Sequence, residues 1–202
     1  MRRLLLAVLL CLAAPAAWAG VPPKLGLRLT ESYIRPSVSH FANSAAALSG
    51  ALDRLCRSPD EPRFDTVRQR FDDVVDAWFR IYFLRFGPLV EENRFERIYF
   101  WPDPRGAILR QVGALLGEAD PESLDPDRLA EKSVAVQGLP ALEYAIFGSG
   151  STAIVDNTPE GSFRCAYALA VSVRIAETAS EIVDGWSPES DFARDFTNPG
   201  PD

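Results

Sequence analysis

The chain has 202 residues, with 28 acidic and 21 basic side chains, a formal net charge of −7 and a single histidine. An acidic chain without a cluster of basic residues is a poor candidate for binding nucleic acid or anionic lipid. Its hydrophobic content of 47% excludes a disordered chain, and its length is sufficient for one sizeable core.

The first 19 residues have the pattern of a secretory signal peptide. Arg2 and Arg3 form a short basic start, residues 4–14 are apolar, and Ala17 and Ala19 place small residues at positions −3 and −1 of a cleavage site. The apolar run is shorter than the ~20 residues that a membrane span needs. We therefore predict cleavage after Ala19, a mature domain of residues 20–202 in the periplasm, and no transmembrane segment after cleavage.

The three cysteines are consistent with export. Cys11 lies in the predicted signal peptide, and lipidation there is disfavoured because Leu10 precedes it where a lipidation motif has a small residue. Cleavage leaves Cys56 and Cys165, which in an oxidising compartment are expected to form one disulfide. Two unrelated buried thiols are the alternative. The sequence has no CxxC motif and no Cys/His cluster, so it gives no support for a structural zinc site.

Helical periodicity dominates the first half of the chain. Apolar residues recur every three or four positions over residues 34–55, which predicts a long helix with Pro36 in its first turn or at a kink. The same spacing over residues 64–81 predicts a second helix, which Gly87-Pro88 breaks or ends. Aromatic residues crowd the region 78–101 and predict either a thick core or the wall of a pocket.

The second half also has a helical pattern. Asp103-Pro104 and Asp125-Pro126 each predict a helix start, because aspartate caps a helix and proline suits its first position. Further helices are expected around residues 139–146 and over residues 162–184, separated by a polar loop. The buried stripe of the last helix is predicted to be Leu169, Val173, Ala176, Ser180 and Val183.

The overall pattern predicts an all-α fold. No two-residue alternation of any length is present, and no internal repeat is evident. Long helices with short connections pack as antiparallel neighbours, so we expect an up-and-down helix bundle. Residues 197–202 are polar and rich in proline, which is typical of a linker.

Several ordered stretches resemble the imelysin family. They are RFGP at 85–88, RIYFWPD at 97–103, EKSVAVQGLPALEY at 131–144 and FRCA at 163–166. The resemblance spans most of residues 30–200. It implies an imelysin-like helical protein of the periplasm or cell envelope that is linked to iron acquisition. Some members of the family were first described as metallopeptidases.

The family motif GxHxxE is changed in this sequence. Its positions are occupied by Gly138, Pro140 and Glu143, so proline replaces the histidine. Histidine and glutamate three residues apart on a helix can hold one metal ion, whereas proline has no donor atom. Glu143 is therefore either a surviving ligand or a buried structural carboxylate with a partner such as Arg85 or a backbone N–H. Arg85 and Asp103 belong to the matching stretches and are expected near the family pocket.

Other candidate ligands have weaker support. His40, the single histidine, is more consistent with an incidental polar residue than with a metal ligand. Asp72, Asp73 and Asp76 form an acidic cluster on the second helix, with Glu91-Glu92 beyond its end. This cluster is either a solvated face or a source of oxygen ligands for a hard cation, for which Asp76 is the candidate metal ligand.

The leading functional hypothesis is a non-catalytic envelope protein in iron acquisition that binds a metal, a chelate or an envelope protein partner. Iron or another divalent ion is the metal implied by the resemblance. A vestigial metallopeptidase-like protein and a purely structural or adaptor bundle are the alternatives. Peptidase activity is disfavoured because HExxH is absent and Pro140 replaces the motif histidine. The family continues into a second helical half that this sequence lacks, and truncation and a shorter relative are both open explanations.

Overall fold

The computed structural model describes residues 22, 24–103 and 105–200. Within them every regular element is a helix or a helical turn, so the predicted all-α fold is confirmed. The predicted signal peptide and its cleavage site lie outside the described residues. None of the described helices is both long enough and apolar enough to cross a membrane.

The elements follow one another with short connections. The α-helices are α1 (Leu25–Leu29), α2 (Arg35–Arg57), α3 (Glu61–Ile81), α4 (Arg94–Ile98), α5 (Ala107–Glu118), α6 (Pro126–Ala130), α7 (Gly138–Phe147), α8 (Pro159–Gly185) and α9 (Asp191–Thr197). A π-helical segment, Thr30–Ile34, joins α1 to α2. Short 3₁₀ turns lie at Gly87–Leu89, Glu91–Asn93, Pro121–Leu124, Val134–Val136 and Ser151–Val155.

The centre of the bundle is formed by α2, which packs along both α3 and α8. The predicted apolar faces of α2 and α3 are both buried. On α2 they include Phe41, Leu48 and Leu52, and on α3 they include Phe64 and Trp78, all with essentially no exposed surface. Both faces are buried as predicted because each of the two helices has one apolar side and one polar side.

The predicted buried stripe of α8 is wrong. Its members are half-buried or, for Ser180, exposed, whereas the core-facing residues are Cys165, Ala168, Val171, Ile175, Ala179 and Ile182. The reason is that α8 contacts α2, α6 and α7 and is apolar around most of its circumference. Periodicity alone cannot select one face of such a helix.

The predicted disulfide between Cys56 and Cys165 is confirmed. It joins the end of α2 to the first turns of α8, with the two Cα atoms 5.6 Å apart. The two cysteines are 109 residues apart in the sequence, so the bond closes most of the domain into one loop. It therefore stabilises the central helix pair against opening.

Proline and aspartate positions explain the helix starts. Pro36 is the second residue of α2, just past the π-helical segment, so the hydrogen bond that proline cannot donate falls where the helical bonding pattern changes. Asp125 caps α6 as predicted, accepting from the backbone N–H groups of Asp127 and Arg128. The helix predicted to start at Asp103-Pro104 begins later, at Ala107, and the Asp103 carboxylate accepts from the N–H groups of its first two residues.

Two helix ends also differ from the prediction. Helix α3 ends at Ile81, so Gly87 and Pro88 lie in a following turn rather than at the break. At the other end of the chain, α9 forms just before the predicted linker. Its Phe192 and Phe196 rings pack against Trp186, with ring centroids 5.1 and 5.4 Å away.

Candidate functional site

The motif glycine fixes where α7 begins. Gly138 has φ of +73°, in the left-handed region that favours glycine. A Cβ atom at this position would overlap the carbonyl oxygens of Arg97 and Ile98 at the end of α4. Only glycine therefore allows the backbone at the start of α7 to lie this close to α4.

The other end of α7 is held by Arg164 from α8. Its Nε donates to the carbonyl of Ala145 at 2.8 Å and its Nη2 to the carbonyl of Tyr144 at 3.2 Å. These carbonyls belong to the last turn of α7, where the helix dipole favours a positive charge. Burial lowers the pKa of the Arg164 guanidinium, because removing the group from water disfavours its charged form.

Pro140 lies in the first turn of α7, where proline is tolerated. Backbone N–H groups in a first turn have no acceptor within the helix, so the proline removes no helical hydrogen bond. The carbonyl four residues earlier, at Val136, accepts instead from the hydroxyl of Tyr167 at 2.8 Å. Burial raises the pKa of Tyr167, so this hydroxyl stays protonated and able to donate.

Two adjoining clefts open beside α7. The larger has a volume of about 480 Å³ and is lined by Tyr99, Trp101, Asp103, Ile108, Leu109, Pro140, Glu143, Tyr144, Phe147 and Gly148. The smaller, of about 300 Å³, shares Tyr99, Pro140 and Glu143 with it and adds Asp72 from α3 together with apolar side chains. The altered motif therefore lies at the boundary between the two clefts.

Glu143 is exposed and makes no hydrogen bond or ion pair with any described residue. The buried ion pair with Arg85 considered above does not form. Arg85 instead places its guanidinium over the ring of Phe95 at 3.9 Å, and it lines neither cleft. Tyr99 and Glu143 line the same two clefts. The pKa of Tyr99 is raised, first by burial and then by the charges of Tyr82 and Glu143.

Asp103 lines the larger cleft, but its carboxylate is already engaged. Its Oδ1 accepts from the N–H of Ala107 at 2.7 Å, and its Oδ2 accepts from the N–H of Ile108 at 2.9 Å. These bonds lower the pKa of Asp103, with the Ile108 amide as the largest cause. Asp103 therefore stabilises the first turn of α5 and has little capacity left for a ligand.

The acidic residues of α3 have separate positions. Asp72 lines the smaller cleft with Glu143. Asp73 forms an ion pair with Arg70 at 2.9 Å. Asp76 is exposed and lines neither cleft.

The remaining candidate ligands lie outside both clefts. His40 is exposed on α2, and Glu91 and Glu92 form ion pairs with Arg94. Among the described residues, no group of three or more His, Cys, Asp or Glu side chains is arranged to hold a metal ion. Besides the engaged Asp103, the larger cleft has one free carboxylate, Glu143, and the smaller cleft has two, Glu143 and Asp72. These donors do not fit a bare hard cation, which takes six or more oxygen ligands.

Sequence reasoning missed much of the aromatic wall. Tyr144 and Phe147 line the larger cleft from the same face of α7 as Pro140 and Glu143. Their spacing, four residues from Pro140 and from Glu143 respectively, was the available signal. Tyr99 and Trp101, in contrast, lie within the aromatic region that predicted a core or a pocket wall, and both line the cleft.

Comparison with known proteins adds two results. The family model described as imelysin matches residues 34–202. The fold is similar to the crystal structure of an imelysin-like protein from Psychrobacter arcticum 273-4, with a TM-score of 0.71 and 21% sequence identity. The match covers 85% of this chain and 49% of that one, so this chain spans about half the length of that protein. No curated protein matches the chain.

Proposed function

This chain belongs to the imelysin family, and we propose that it is a non-catalytic periplasmic binding protein that serves iron acquisition by holding an iron chelate beside Glu143. The observation that carries this proposal is the exposed motif carboxylate, which has no partner among the described residues and lies between two clefts. A carboxylate that stabilises nothing within the described fold is available for a ligand.

The size and lining of the clefts favour a chelate over a bare ion. Cavities of about 480 and 300 Å³ are in the range of small-molecule sites, which are mostly apolar with a few polar groups. A chelate brings its own metal donors, so the protein needs only a surface for the organic shell. The aromatic side chains of Tyr99, Trp101 and Phe147 offer such a surface.

The residues at the motif disfavour peptidase activity. A catalytic zinc site generally has three protein ligands and an open position for water. Pro140 cannot supply one of these ligands, and the single histidine, His40, is on α2 and lines neither cleft. Chelator-sensitive cleavage of unfolded protein substrates that is lost in Glu143→Gln would contradict this part of the proposal.

A periplasmic location is supported by the Cys56–Cys165 disulfide, because such bonds persist in oxidising compartments. Mass spectrometry of protein exported by a bacterial host should find a mature start at Gly20. A soluble cytoplasmic product that retains residues 1–19 would contradict export.

Isothermal titration of the wild type and Glu143→Gln with a ferric chelate and with free metal tests the binding function. We expect the chelate to bind the wild type, and free divalent metal to bind much more weakly. Glu189→Gln is the matched control, since Glu189 is exposed and its side chain makes no hydrogen bond with a described residue. A purely structural or adaptor bundle predicts that no chelate binds any variant, although all of them melt normally.

A further inference from the structure

The clefts beside α7 expose aromatic surface that the fold does not use. Trp101 is 59% exposed and Phe147 is 45% exposed, although both side chains are large and apolar. Phe147 packs against Phe71 with centroids 5.6 Å apart, whereas Trp101 has no ring partner among the described residues. Exposed aromatic side chains gathered at one concave surface are typical of ligand sites.

Negative charge at the same place is unmatched. The carboxylates of Glu143 and Asp72 both line the smaller cleft, and neither forms an ion pair or a hydrogen bond with a described residue. Neither cleft has lysine or arginine in its lining. Any positive charge that balances these carboxylates must therefore come from solvent or from a ligand.

Three guanidinium groups that act on cleft residues are engaged elsewhere. Arg68 is 5.7 Å from the ring of Phe147 but pairs with an aspartate of its own helix. Arg164 is 5.7 Å from the ring of Tyr144 and is bonded to the carbonyls at the end of α7. The charge of Arg110 contributes to the lowered pKa of Asp103, and the Nη1 of Arg110 donates to the carbonyl of Arg105.

We propose that the clefts recognise the positively charged amine of an organic ligand, with Glu143 as its counter-ion and the aromatic walls, Trp101 above all, as its cation–π partners. This inference rests on the proposed function and names the charge that the bound chelate carries. Aromatic side chains around a carboxylate are the combination that binds alkylammonium groups, since the faces of the rings are negative. An anionic chelate would instead meet two unpaired carboxylates and be repelled.

A double comparison of ligand and protein tests this recognition. The ligands are a ferric trihydroxamate chelate with a free primary amine and the same chelate with that amine acetylated. The proteins are the wild type, Glu143→Gln and the control Glu189→Gln. We expect the amine-bearing chelate to bind the wild type about fivefold more tightly than the acetylated one, and this difference to disappear in Glu143→Gln only.

The aromatic wall is tested in the same way. Trp101→Leu should weaken binding of the amine-bearing chelate about fivefold, while Phe83→Leu, a substitution of a ring with 61% exposure outside both clefts, should not. Raising the salt concentration should weaken binding of the amine-bearing chelate more than binding of the acetylated one, because salt screens the attraction between the amine and the carboxylate.

Failure of the amine recognition and failure of the proposed function give different results. Equal binding of the two chelates, or an amine effect that persists in Glu143→Gln, overturns the amine recognition while the binding function stands. If neither chelate binds, the proposed function is overturned, and titration with butylammonium decides the inference separately. Butylammonium binding that depends on Glu143 supports it, and no binding overturns it.

Discussion

Pro140 and Glu143 lie three residues apart on α7 and line the same two clefts. The geometry that would let a histidine and a glutamate hold one metal ion is therefore kept, while the histidine itself is missing. The first turn of α7 accepts the proline without losing a helical hydrogen bond. The substitution thus removes a donor atom from the site while the first turn of α7 stays helical.

The first prediction restores the missing donor. Pro140→His places an imidazole one turn from the Glu143 carboxylate, so we expect zinc affinity to rise at least about tenfold over the wild type. Isothermal titration with zinc measures it. Pro140→Ala should show no gain, and the added substitution Glu143→Gln should remove it. Equal zinc affinity in the wild type and Pro140→His would mean that the two positions do not converge on one ligand.

The second prediction concerns Gly138, which contacts the end of α4. Gly138→Ala requires a left-handed backbone at alanine and creates overlap with two carbonyl oxygens, so we expect a loss of about 2 kcal/mol or more in the free energy of unfolding. Gly106→Ala is the control, because Gly106 has a similar φ of +58° and nothing within 4 Å of the added Cβ. It should cost about 1 kcal/mol. Similar losses in urea unfolding of both variants would contradict a close contact between α7 and α4.

The sequence predicted the fold where one helix face is apolar and the other polar. Helices α2 and α3 have this property, and their core residues are the predicted ones. Helix α8 lacks this property, because it is apolar on most sides and packs against several helices. Its buried face was therefore predicted wrongly. Helix α9 was missed because seven residues have little intrinsic helical stability, and contacts of Phe192 and Phe196 with Phe86, distant in sequence, stabilise it.

The site, like the fold, was predicted only where local sequence spacing determines it. Placing Gly138, Pro140 and Glu143 at the start of one helix needed only local spacing and the known tolerance of proline. The exposure of Glu143 and the position of Arg85 depend on how α3, α4 and α7 meet, which no local pattern shows. The capping of the α7 end by Arg164 is also a contact between helices.

The third prediction concerns the disulfide. Removing the Cys56–Cys165 bond frees a loop of 109 residues in the unfolded chain, and the chain-entropy model gives a loss of about 4–5 kcal/mol. Urea unfolding with and without reductant measures it. The double variant Cys56→Ser, Cys165→Ser should match the reduced wild type and be insensitive to reductant. A reduced wild type as stable as the oxidised one would contradict a stabilising role.

The last prediction follows from Asp103. Because its pKa in the folded protein is below the unfolded value of 3.8, chiefly through the amides of Ile108 and Ala107, folding favours the charged carboxylate. The resulting stability is present above about pH 4 and is lost as the pH falls through the lower, folded pKa. Asp103→Asn keeps the shape but has one acceptor oxygen, as the protonated carboxyl effectively does.

The urea midpoints of the wild type and Asp103→Asn should therefore differ at pH 7 and converge as the pH falls through the folded pKa of Asp103, below 3.8. Asp76→Asn is the matched control, since Asp76 is exposed and its carboxylate accepts no hydrogen bond from a described residue. The urea midpoint of Asp76→Asn at pH 7 should be close to that of the wild type. A gap for Asp103→Asn that persists at low pH would mean that the variant loses packing rather than a charged helix cap. Convergence would assign Asp103 to the start of α5 and leave Glu143 as the free carboxylate of the larger cleft.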